Sequence, residues 1–175
     1  MSDSGVRTAS HIMTRIDIST AIPFDDFRSR LEHAAPAFDA EPFQRIIETG
    51  GSWSDVQSAV ERMAPHQLMR YATIEATAIM SLAGHTTKAV EYLLGNHVIA
   101  ESMFRHDPRA LLYAPLRVLL FSDTEGDAVF SLDQPSTAFG SLGIGEVTWV
   151  GLGLDDKVAA LLRFLGVDAS FPQPA

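Results

Sequence analysis

Apolar and polar residues alternate along this chain with two periods, and the switch between them marks out the elements. Residues 11–18 (HIMTRIDI) carry Ile, Thr or another apolar residue at even positions and mostly polar ones at odd positions, which predicts a half-buried strand. Past Pro23 the period becomes helical, with Phe24, Phe27, Leu31 and Ala34 or Ala35 on one stripe and Asp25 and Asp26 in the first turn, where acids meet the positive end of the helix dipole. The run PFQRIIE predicts a short helix ended by Gly50 and Gly51. A second helix then starts at Ser52 or Ser54, with Val56, Ala59, Val60 and Met63 inward and Pro65 as its stop.

From Leu68 the pattern returns to period 2, although the Ala-rich second half of that run suits a helix as well as a strand. Residues 88–94 predict a strand broken at Gly95 and Asn96, residue types that readily turn a chain out of a sheet through positive φ. Residues 97–106 have helical spacing, and Asp107 before Pro108 ends the helix. Strands over 116–121 and 128–132 flank a polar turn and predict a hairpin, after which Asp133, Gln134 and Pro135 open a helical turn. The glycine-rich stretch 140–153 reads as a flexible connection over the sheet, leading to a final helix in DDKVAALLRFLG.

Together these elements predict one α+β domain over residues 1–175, with 1–6 and 168–175 as loose termini. A chain of this length buries about 70% of its unfolded surface and needs no staple. The absence of cysteine excludes disulfides and thiolate chemistry, and suits a reducing compartment. Thirteen Lys and Arg against 22 Asp and Glu give a formal charge of −9 without a basic cluster, which argues against nucleic acid and anionic membranes as partners. With neither a signal-type apolar segment nor a spanning run, the expected location is cytoplasmic.

The sequence YLLGN, a helix, and then DPRALLYAPLRVLLFSDTEGDAVFSLDQP resembles the core of the domain of unknown function 302 family, over residues 69–140. The resemblance implies a curved, mostly antiparallel sheet with helices on one face, similar to the TATA-box-binding-protein fold, and a homodimer. The helical pair at about 42–65 then stands as an addition. It implies no activity for named residues. Where the family turn has Gly-Asn-Pro, this chain has Gly95-Asn96-His97, and the family's Asp-Pro is here Asp133-Gln134-Pro135.

Several side chains are candidates for chemistry. His97 and Glu101, four apart on a helix, can share a metal or form an oriented acid–base pair, or simply make one surface contact. No further ligands complete a metal site, so neither metal nor cofactor is expected. His106 beside Asp107 is a second candidate base, or ordinary helix-stop chemistry. Arg117, out of phase with the apolar positions of its strand, is the best candidate to grip a carboxylate or carbonyl, or else a rim arginine paired with an acid. Asn96 can donate to a ligand from its turn. Tyr92, Tyr113, Phe121, Phe104 and Met103 can line a pocket for an apolar or aromatic molecule, or form core.

No G-x-S-x-G elbow, phosphate loop, dinucleotide fingerprint or H-E-x-x-H motif is present. The favoured reading is a homodimeric binding domain for a small, largely apolar molecule. Its alternative is a cofactor-independent isomerase, cyclase or lyase using His97 or His106 with Arg117, which requires those side chains to converge on one enclosed pocket.

Overall fold

The structure is a computed structural model describing residues 5–172; the outermost parts of both expected loose termini, 1–4 and 173–175, lie outside the described residues. The fold is α+β, built on one five-stranded antiparallel sheet of order β1-β5-β4-β3-β2. Its strands are β1 (Arg15–Pro23), β2 (Met69–Glu75), β3 (Ala89–Gly95), β4 (Leu116–Ser122) and β5 (Asp127–Asp133). The helices are α1 (Phe24–Ala34), α2 (Glu41–Glu48), α3 (Trp53–Met63), α4 (Thr77–Ser81), α5 (His97–Phe104), α6 (Pro135–Gly140) and α7 (Gly145–Phe164), with a 3₁₀ turn at Pro108–Leu112.

Strand alternation sorts the sheet into two faces. On one, Val90, Tyr92 and Leu94 of β3, Val118 and Leu120 of β4, and Phe130 of β5 are fully or almost fully buried. They pack against Phe24, Phe27 and Leu31 of α1 and against Leu154, Val158, Leu161 and Leu162 of α7. Phe27 and Phe130 meet edge to face, and burying each such side chain contributes about 1.5–3 kcal/mol. The opposite face is left open, with Leu119 39% and Ile74 49% exposed.

A smaller second core joins α2 and α3 to the start of β2, using Phe43, Ala59, Val60, Ala64 and Met69, with Phe38, Tyr71 and Val98 packed against it. Ser52 caps α3 in a reciprocal capping box with Asp55, as the spacing of the two residues favours.

Three expectations need correction. The first strand lies later than 11–18, because its partner β5 ends opposite Arg15 and the Gln134 N–H then bonds to the Thr14 carbonyl as the chain turns into α6. The stretch 140–153 is not a loose connection: α7 begins at Gly145 and runs through Gly151 and Gly153. At Gly151 a Cβ would sit 3.1 Å from both Phe139 Cβ and Ser136 Cα, so glycine lets α7 press against α6. Asp155, one turn on, accepts from the Ser136 N–H at 2.9 Å and from Gln134 Nε2 at 2.8 Å, tying the two helices together. Near the C-terminus, Ala169 and Phe171 pack against the main core rather than trailing free.

Candidate functional site

The chain leaves β3 at Gly95 and enters α5 immediately, and this abrupt transition shapes the candidate site. Gly95 is confined between the Tyr71 ring and Pro115, where a Cβ would meet them at 3.0 and 3.2 Å. Asn96 is not the positive-φ turn residue its type suggests. Its backbone is extended, at φ −156, and it caps α5 by accepting from the Val98 and Ile99 amides at 2.8 and 3.3 Å. Its Nδ2 donates to the Gln67 carbonyl at 2.9 Å, so both ends of the amide are engaged.

Beside this junction lies a cavity of about 320 Å³. β3 and α5 contribute Leu94, Ile99, Ala100 and Met103 to its lining, the segment from the 3₁₀ turn into β4 contributes Leu111, Ala114 and Leu116, and α6 and α7 contribute Phe139 and Leu154; Tyr71, Asn96 and His97 add its polar groups. No lining residue is charged. The His97 ring makes edge contacts with Phe38, Phe43 and Tyr71, at centroid distances of 5.2, 5.0 and 5.3 Å. Desolvation inside this aromatic wall pushes the imidazole below its ordinary value, favouring the neutral form. Burial pushes the Tyr71 hydroxyl up to about 12, which the nearby His97 backbone amide only partly offsets. No hydrogen bond closes between the two, and the Tyr71 hydroxyl has no partner among the described residues.

A second recess shares residues 111 and 114–116 with the first but has different chemistry, because Tyr113, Arg117 and Asp133 line it. The Arg117 side chain is 77% exposed on the open sheet face, 3.6 Å from Glu91. Tyr113 Oη lies 3.3 Å from His11 Nε2 and accepts from Ser141 Oγ at 3.3 Å.

The remaining candidates are dispersed. His106 is exposed beyond the end of α5, and the neighbouring Asp107 carboxylate turns to Arg109, whose guanidinium and backbone amide hold its pKa below the usual range. Glu101 pairs with Arg105, not with His97. Tyr92 belongs to the core: its hydroxyl donates to Glu32 at 2.7 Å, and burial followed by that bond raises its pKa. Phe121 is half-buried on the open face, and Phe104 is exposed. His97, His106 and Arg117 therefore do not converge, and the acid–base enzyme reading lacks the geometry it requires. Among the described residues, no group of three or more His, Asp or Glu side chains is placed to hold a metal. No helix among them is long and apolar enough to cross a membrane.

The sequence profile described as Domain of unknown function DUF302 matches residues 49–162. This chain belongs to the DUF302 family. The match takes in α3 as well as the sheet from β2 onward, so only α2 of the helical pair lies outside it. The crystal structure of an uncharacterized conserved DUF302 protein from Bacillus stearothermophilus superposes with a TM-score of 0.60 at 10% identity, covering 85% of this chain and 95% of that one, and so shares the fold. A comparison with curated proteins gives no match.

For this DUF302 chain, reading the sequence alone missed Tyr71, Phe38, Phe43, Leu111, Phe139 and Leu154 as parts of the site. Phe38 and Phe43 lie outside the profile match, and contacts so distant along the chain leave no local periodicity to read.

Proposed function

We propose that this DUF302 protein is a homodimeric binding domain for a small, largely apolar molecule held in the cavity beside α5. The observation that carries the reading is the cavity itself. Its volume falls within the roughly 300–1,000 Å³ range of small-molecule sites, and its lining combines a mostly apolar surface with a few polar groups. An uncharged wall favours a neutral occupant, since a buried ion there would meet no countercharge.

The partner in this reading is a second copy, docked on the open sheet face. Ala72, Ile74, Leu93, Leu119, Phe121 and the largely buried Val129 occupy outward positions of β2 to β5, with Glu91 between Ile74 and Leu119, Arg117 between Leu93 and Asp133, and Asp17 on the edge strand β1. Apolar positions interleaved with charged ones suit a non-obligate interface, which is about as apolar as the rest of a protein surface. The face carries both signs, so a two-fold axis can set acids against arginines. Five strands about 4.8 Å apart and about seven residues long make a face of roughly 24 by 24 Å. Side-chain relief brings this near the ~800 Å² per partner of a standard interface.

Ala100 lines the cavity from α5, so Ala100→Trp places an indole in it. Equilibrium dialysis should show naphthalene binding by the wild type, weakened at least about tenfold in this variant while far-ultraviolet circular dichroism stays unchanged. Equal binding by both proteins, or none by the wild type, refutes the site. Leu119→Glu should convert a sedimenting dimer to monomer; a monomeric wild type refutes the pairing.

A further inference from the structure

We propose that His97 is the polar anchor of the cavity and that the occupant is a neutral molecule with an apolar body and one hydrogen-bonding group, such as a hydroxyl or carbonyl. This inference rests on the binding reading above and narrows it to a ligand class.

The assignment follows from what each polar lining group still has to offer. Asn96 has no acceptor left to offer: its Oδ1 accepts from two α5 amides, and one of its two Nδ2 hydrogens goes to the Gln67 carbonyl, leaving a single donor. The helix N-terminus is therefore already capped and does not call for an anion. Tyr71 lines the cavity, but its hydroxyl oxygen is buried and exposes almost no surface to an occupant. Among the described residues, no protein group hydrogen-bonds either His97 ring nitrogen, although the residue lines the cavity. A neutral imidazole presents one donor and one acceptor, and so can serve a hydroxyl or a carbonyl.

The ring is also held in position. Phe38 precedes α2, Phe43 lies on α2 and Tyr71 on β2, and all three meet the imidazole nearly edge-on, at interplanar angles of 85°, 74° and 71°. Neither Phe38 nor Phe43 lines the cavity, so they buttress the ring from outside it. Both precede the profile match, which begins at residue 49, so part of this support comes from chain outside the matched region. A donor–acceptor group fixed before the ligand arrives loses little entropy on binding. Its charge also fits the wall: burial holds the imidazole neutral, and no lining residue is charged.

The test compares 2-naphthol with 2-methylnaphthalene, probes of nearly equal size that differ in a hydroxyl. Dissociation constants are measured by equilibrium dialysis at pH 8 for the wild type and for His97→Phe. Wild type should prefer the naphthol about five- to tenfold, the range of one net hydrogen bond, and the variant should show no preference. Should His97→Phe misfold, the imidazole ¹⁵N resonances of the wild type decide: they should move with the naphthol and stay with the methyl analogue. Equal binding of both probes by the wild type, a preference that survives the substitution, or unmoved ¹⁵N resonances overturns the anchor while leaving the cavity reading intact. Failure of both probes to bind the wild type overturns the anchor and the cavity reading together.

Discussion

The two recesses on either side of residues 111–116 share part of their lining and differ in almost everything else. The one beside α5 is uncharged and reaches down to Met103, Phe139 and Leu154 of the core. The other opens onto the uncovered sheet face and holds Arg117 and Asp133. Strand parity creates the division, because Leu116 and Val118 of β4 point into the core while Arg117 and Leu119, which alternate with them, point out. Chemistry that requires Arg117 and His97 together is separated by the sheet itself. Desolvation is consequently the resource of the first recess, and solvated charge that of the second.

Truncation sharpens the contrast most strongly. Met103 is fully buried and lines the cavity, so Met103→Ala should cost about 2–5 kcal/mol in chemical denaturation. Arg117→Ala should stay within about 0.5 kcal/mol of wild type, since an exposed ion pair contributes little. An Arg117→Ala cost comparable to that of Met103→Ala would erase the distinction between the two recesses.

A smaller effect concerns pH. The folded-state pKa of His97 lies below its unfolded value because burial disfavours the imidazolium. The stability this contributes is fully present above the unfolded value and is lost as pH falls through the folded one. Tyr71, the titratable ring packed on it, stays protonated throughout that window, and Glu101 is paired with Arg105. Wild type should therefore lose more stability than His97→Phe between pH 8 and pH 5. Parallel profiles would show that the imidazole pays no desolvation cost.

How much of this could be read from the sequence depended on range. The α1 stripe, the Ser52 cap and the β4–β5 hairpin are decided by neighbours within a few residues, and they appear as the pattern implies. The phase of Arg117 against Val118 was equally legible. Glycine misled where its use is tertiary: Gly151 is helical because α6 lies against it, a demand no local rule expresses. Asn96 was found at its turn but given the wrong backbone, since its side chain caps α5 and removes the need for positive φ. The surroundings of His97 were the least legible, because Phe38, Phe43 and Tyr71 converge on it from separate parts of the chain.

The central claim is that the α5 recess is a preformed, apolar binding volume. Xenon reads such volumes directly, since dry cavities lined by apolar side chains take it up. A crystal pressurised with xenon should show density bounded by Leu94, Met103, Phe139 and Leu154, and Ala100→Trp should exclude it. A wild-type crystal in which those side chains fill the space and no xenon enters would contradict the account.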